Sequence, residues 1–308
     1  MKNVPVDYIQ RTNAALDHIL QNLDGDLSLD KVAHVAEFSP HHFHRVFRSL
    51  VGETLNQFVK RLRLERAVYL MSHTTKKPLT SVALECGFSS SSDFSRSFKA
   101  RFQVAPSDFD VQHLRDSRRE EFEGILKSFE NGPQLDRLPA GENPDGFEAQ
   151  LRNIPPCTVA YIRVTDPYAS TGVVDACGRL VDWAEQQGFA DGQWLGYQWD
   201  DPEIVAMKDC RYDVAVVIED DNAEFQSEGE IGRYQFPAMC VAEVPIAGDA
   251  HLELRAIDWL FGTWLPRSGY EPDDQPAFEA WDGRPFEHGL EHFELRCQLP
   301  IVVTRNTG

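Results

Sequence analysis

The sequence of 308 residues predicts an all-α tandem helix-turn-helix domain followed by an α+β domain of duplicated units. Two internal repeats and a split in charge carry that prediction. Between Leu27 and Asp110, Val32, Ala33, Ala36 and Phe38 match Val82, Ala83, Cys86 and Phe88 at a shift of 50. Phe43, Arg45 and Phe47 match Phe94, Arg96 and Phe98 at a shift of 51. Each copy reads as a short amphipathic helix, a tight turn and a second helix with Phe at four-residue spacing, whose opposite face stays free for polar groups. The second repeat relates residues 154–218 to 236–302 at a shift of 81 or 82. The charge follows the same division. Residues 1–120 hold 17 Lys/Arg and 14 Asp/Glu, a net +3, so the remainder carries −22 of the total −19. Between His41 and Arg101 the local balance is +7, from 11 basic and 4 acidic residues, which suits a surface facing phosphates.

The elements follow in order. Apolar positions Ile9, Leu16, Ile19, Leu20 and Leu23 predict a helix over 6–23, closed by Asp24-Gly25. Ser28 to Glu37 is the next helix, with Ser28 or Asp30 as its cap. Ser39-Pro40 starts the second helix of the first copy, which stops at Gly52. Thr54 to Ser72 is a continuous helix of 19 residues, about 28 Å long, enough to hold two DNA-reading helices roughly one turn of B-DNA apart. Arg61, Arg63 and Arg66 on it either touch a phosphate backbone or support the fold. Pro78-Leu79-Thr80 opens the second copy, whose own second helix spans Ser90 to Phe102, and Pro106 begins a last short helix toward Leu114. From Ser117 to Gly146 prolines and glycines predict a linker with a helical turn or two around Phe122 to Phe129. The expected boundaries are 1–115, 116–146 and 147–308.

Composition narrows the function class. A hydrophobic content of 42% fits a folded globular chain, no apolar run reaches the ~18 residues of a membrane span, and Asp7, Gln10, Arg11 and Asp17 interrupt any signal-peptide core. A cytoplasmic location is expected, with no membrane partner. Six scattered cysteines without a CxxC pair read as reduced thiols. Two of the three histidines in His41-His42-x-His44 fall on different helix faces with no cysteines to join them, His288, Glu291, His292 and Glu294 resemble ligands by type but align with a strand of the first unit, and no nucleotide or nucleophile motif is present. No metal, cofactor or catalytic residue is expected.

The run Gly87-Phe88-Ser89-Ser90-Ser91-Ser92-Asp93-Phe94-Ser95-Arg96-Ser97-Phe98-Lys99, with Phe102 and Pro106, resembles the signature of AraC/XylS-type transcription regulators, and the duplicated pattern covers that family's DNA-binding domain end to end. The resemblance implies base or phosphate contacts from His41, His44 and Arg45 in the first copy and from Ser91, Ser92, Asp93 and Arg96 in the second. The family often has Trp or Gln where this chain has His41 and His44. It also implies double-stranded promoter DNA, a small-molecule effector and RNA polymerase as partners, with the chain acting as monomer or homodimer.

The second half reads as strands CTVAYIRV and MCVAEVPI, each followed by a helix and further strands such as RYDVAVVI. Two such units suggest a pseudo-twofold axis with a groove between them. Pro156-Cys157-Thr158-Val159-Ala160-Tyr161, Lys208 to Asp213 and Pro276 to Trp281 resemble the GyrI-like small-molecule-binding domain, over roughly Phe147 to Val303. The resemblance implies an aromatic cleft with a glutamate that receives cationic or amphipathic ligands. At a shift of 81, Gln198 is the counterpart of Glu279. Glu279 is the expected anchor, through charge pairing and cation–π contact, with Tyr161, Trp194, Tyr197, Trp199, Phe278 and Trp281 as walls. Three other readings stay open: the aromatics fill a core, the domain is a small-molecule hydrolase with Glu279 as general base, or its acidic face binds a protein.

Overall fold

The computed structural model describes residues 6–73, 77–128, 138–169, 171–218, 225, 229–289 and 291–303. The chain divides into two compact units, Met1–Asp116 with Ser227–Gly232, and Ser117–Gln226 with Arg233–Gly308. Among the described residues no helix is long and apolar enough to cross a membrane.

The first unit is helical: α1 (Val6–Gln21), α2 (Leu29–Val35), α3 (Pro40–Val51), α4 (Leu55–His73), α5 (Leu79–Glu85), α6 (Ser91–Phe102), a 3₁₀ turn (Pro106–Asp108) and the start of α7 (Val111–Ser128). The pairs α2–α3 and α5–α6 are the two copies of the sequence repeat. In each, the turn depends on a residue in the left-handed region, Glu37 at φ 53° and Gly87 at φ 78°. At Gly87 a Cβ would lie 2.7 Å from the Leu23 carbonyl, so glycine is the residue that fits. Pro40 occupies the first turn of α3, and the Ser90 hydroxyl accepts from the Asp93 N–H at 3.2 Å to cap α6. The repeated phenylalanines build matching cores, Phe43–Phe47–Phe58 and Phe88–Phe94–Phe98, with ring centroids 5.2 to 5.5 Å apart. Helix α4 touches α3, α5 and α6 and so joins both copies.

In the second unit β1 (Gln150–Ile154), β2 (Cys157–Thr165), α8 (Gly172–Gln187), β3 (Trp194–Gln198) and β4 (Arg211–Ile218) form the first repeat. The second comprises β5 (Gly232–Phe236), β6 (Met239–Gly248), α9 (Ala250–Trp259), a π-helical turn (Leu260–Trp264), α10 (Leu265–Ser268), β7 (Tyr270–Pro272), β8 (Ala277–Trp281) and β9 (Phe293–Val303). They share one sheet of order β1-β6-β9-β8-β3-β4-β2-β5, with β7 on β9. The order is symmetric about the β3–β8 pair, and each repeat's first strand lies on the other repeat's second strand. Two residues, Pro155-Pro156 and Pro237-Ala238, separate the first strand from the second in each repeat. Proline fixes φ near −65° and cannot supply the positive φ of a two-residue hairpin turn, so these strands seek partners elsewhere.

Alternation along the strands gives the sheet two distinct faces. Helix α8 packs on β2 and β4, and α9 on β6 and β9. The other face gathers Tyr161, Tyr197, Tyr234, Phe236 and Phe278 into an aromatic core. The stretch expected to be a linker is α7 as far as Ser128, longer than a turn or two; 129–137 lie outside the described residues. Arg119 on this part of α7 forks onto the Asp258 carboxylate at 2.7 and 2.9 Å and also reaches Glu203 at 2.9 Å.

Candidate functional site

On the first unit, His41, Arg45, Ser91, Ser92 and Arg96 are exposed on α3 and α6, while His44 and Asp93 are half-buried. The phenylalanine stripe anchors the opposite side of each helix, which leaves these polar residues outward. Arg96 is held only loosely by its own helix, with Nε 3.3 Å from the Ser92 carbonyl and a guanidinium nitrogen 4.0 Å from Asp93. Two arginines of α4 have other duties. Arg61 bonds Glu53 at 2.7 Å and Glu65 at 3.1 Å, and Arg63 bonds the Leu23 and Gly25 carbonyls at 2.8 Å. Both hold the fold together. His44 lines a hollow of about 500 Å³ with Asp26, Ser28, Thr54, Asn56 and Arg63.

The second unit's site centres on Glu279 of β8. Its carboxylate accepts a hydrogen bond from the Tyr212 hydroxyl of β4 and shares another with the Glu253 carboxyl of α9. Cys297 lies beside it on β9, the Glu279 charge acts on Cys177 of α8 in the helix layer, and Glu279 as a whole residue is half-buried. Removal from water raises the Glu279 carboxyl above the ordinary carboxylate range, while the bonds from Tyr212 and Glu253 pull it back. Burial also raises Glu253 well above that range, and the Glu279 charge adds to the effect. Tyr212 is raised for the same two reasons, and burial pushes the Cys177 thiol up to about 12. A direct bond between two carboxyls needs a proton on one of them.

The tight contact depends on Gly196. It pairs with Glu279 across β3 and β8, and any Cβ there would collide with the Tyr212 hydroxyl and come 2.7 Å from Glu279 Oε2. The strand register also corrects the expected pseudo-equivalence. Gly196, not Gln198, is the symmetry counterpart of Glu279, at a shift of 83. Gln198 instead donates to the Tyr168 hydroxyl.

The sheet divides the expected ligand-binding residues. Trp194 and Trp281 pair directly and share the Glu279 face, where Trp281 packs on Phe286 and Phe293 at 4.9 and 5.4 Å. Tyr161, Tyr197, Trp199 and Phe278 lie on the opposite face and are not brought to Glu279. Neighbours in a strand, such as Phe278 and Glu279, must point to opposite sides. There Arg163 forks onto the fully buried Asp213 at 2.7 and 2.8 Å, the Trp199 indole N–H donates to Asp213 at 2.8 Å, and the guanidinium sits 4.9 Å over Tyr161.

Sequence reading missed Glu253, Tyr212, Gly196 and Tyr168. For Glu253 a signal exists. It shares the buried stripe of its helix with Ala256 and Leu260, three and seven residues on, and a carboxylate on an apolar stripe needs a partner.

Residues 147–302 match the family of GyrI-like small-molecule-binding domains, and residues 32–112 match a helix-turn-helix domain family. The chain belongs to the GyrI-like family. Its first unit is an AraC-type helix-turn-helix domain. The Tn10 TetD protein of Escherichia coli is 35% identical over 111 residues, covering 34% of this chain and 80% of TetD. The probable transcriptional regulator LumQ of Photobacterium leiognathi is 36% identical over 101 residues, which is 32% of this chain and 40% of LumQ. The chain thus spans less than half the length of LumQ. A crystal structure of the EcmrR C-terminal domain is similar at 17% identity and a TM-score of 0.40, covering 51% of this chain and 99% of that one.

Proposed function

We propose that this GyrI-like chain is a ligand-responsive transcription regulator: its AraC-type unit binds promoter DNA, and its second unit receives a cationic small molecule at Glu279. The observation that carries the ligand half is the carboxyl pair Glu279–Glu253, bonded to Tyr212, on the sheet face that packs against α8 and α9. A partly desolvated negative charge favours a cation, because nothing in bulk water competes fully for it. The buried side chains of Trp194 and Trp281 lie two residues further along the same sheet face. Benzyltrimethylammonium and its neutral isostere neopentylbenzene separate charge from shape. The full chain is expected to bind the first and not the second in isothermal titration; equal affinity would remove the carboxylate from the reading. Sustained product release from a bound ester would replace it by hydrolysis, with Glu279 as base.

For the DNA half, His41, His44 and Arg45 of α3 and Ser91, Ser92, Asp93 and Arg96 of α6 are the proposed base and phosphate contacts. The basic balance of that segment supports this, as does the outward placement of both arginines. Arg45→Ala and Arg96→Ala should each lower the salt dependence of duplex binding by about one phosphate contact, or cost roughly 1–3 kcal/mol at one base pair. Fluorescence anisotropy over a salt series distinguishes these outcomes. An unchanged slope and affinity for both variants would contradict the assignment.

A further inference from the structure

The ligand reading makes Glu279 the anchor and gives Glu253 no role of its own in holding the cation, yet Glu253 is the buried group bonded to it. The titratable groups around the pair come from every layer: Tyr212 on β4, Glu279 on β8, Cys297 on β9, Cys177 on α8, Glu253 on α9 and Tyr168 after β2. These are carboxyls, phenols and thiols, none of which carries positive charge. The charge of Glu279 is therefore met by two donated protons, one on the Tyr212 hydroxyl and one shared with Glu253. The phenol's proton is the harder to remove, since burial and the adjacent carboxylate both raise it. That leaves the shared carboxyl proton as the stand-in for a counter-ion.

We propose that Glu253 is the second anchor of the ligand site and that the proton it shares with Glu279 is released when a cation binds. A cation placed against the pair does the proton's electrostatic work, so the two compete for one place. The balance is simple: the singly protonated pair and a monocation give a doubly ionised pair holding the cation, plus one proton to solvent. Raising the pH removes the competitor, so affinity should rise with pH until Glu253 ionises unaided. This rests on the cation reading of Glu279.

The test is isothermal titration of the full chain with benzyltrimethylammonium in phosphate and in MOPS, whose different ionisation heats report proton release. Up to one proton per bound cation is expected over the pH range in which Glu253 is protonated in the free chain, with affinity rising there by up to about tenfold per pH unit. In Glu253→Gln the cation should still bind at Glu279, the proton count should fall to zero and the pH dependence should flatten. Equal heats in the two buffers for the wild-type chain would overturn proton exchange while leaving the cation site intact. Proton release persisting in Glu253→Gln would overturn the role of Glu253. Failure of the wild-type chain to bind the cation at all would overturn both readings. The wild-type comparison decides the matter even if the variant does not fold.

Discussion

Gly196→Ala should cost about 1–3 kcal/mol of stability, the ordinary penalty for forcing a methyl into a packed interior, and should abolish cation binding. The new Cβ would occupy the place of the Tyr212 hydroxyl and crowd Glu279 Oε2 at 2.7 Å. Tyr212 is buried, so its ring cannot swing into water; either the β3 backbone moves or the phenol leaves Glu279. Both outcomes weaken or break the Tyr212 bond and leave Glu279 with Glu253 as its remaining partner. A control comes from the same unit. Gly178 lies in α8 with open space around its Cβ position, so Gly178→Ala should be stabilising by roughly 0.5–1 kcal/mol through helix propensity. Thermal unfolding of the two variants beside the wild type reads the difference. A Gly196→Ala chain with unchanged stability and cation affinity would mean that the Tyr212–Glu279 contact is not tight in solution.

The second large effect lies on the opposite face of the sheet. Arg163→Leu should destabilise the chain by about 3–5 kcal/mol, because it leaves the Asp213 carboxylate buried with its ion-pair partner removed. The Trp199 indole N–H at 2.8 Å donates one hydrogen bond but no compensating charge. Arg163→Lys should recover only part of the loss, since a lysine cannot form the two-pronged bond. Chemical denaturation measures both. A loss below about 1 kcal/mol for Arg163→Leu would show that Asp213 gives up its charge or finds water.

The helical half was legible because its signals are local. Phenylalanines at four-residue spacing, Ser39-Pro40, Ser90 and the Gly52 stop each act within one or two turns, and they placed α3 and α6 to within a residue or two. The sheet half was legible as a duplication but not in register. Its second copy carries a π-helical turn at Leu260–Trp264 that the first lacks, and the shift grows from 82 between β2 and β6 to 83 between β3 and β8. An error of two residues keeps a side chain on the same face, which is why Glu279 was found while its true counterpart, Gly196, was not. Listing Phe278 with Glu279 was a different error, since the period of two in a strand separates them. The crossing of β1 and β5 onto the opposite repeats is a long-range choice. Pro155-Pro156 forbids a tight hairpin but names no alternative partner. Glu253 was missed because an acidic residue in the first turn of a helix ordinarily faces water and favours the helix dipole. Only its place on the apolar stripe gave it away.

Glu279→Gln is the most direct measurement of the central claim, that one buried carboxylate selects a cation. Glutamine keeps the size and a hydrogen-bond acceptor but removes the charge, so the benzyltrimethylammonium affinity of the full chain should fall by at least roughly 100-fold, the lower end of what unpairing a buried charge costs. Unchanged affinity in a folded variant would contradict the account.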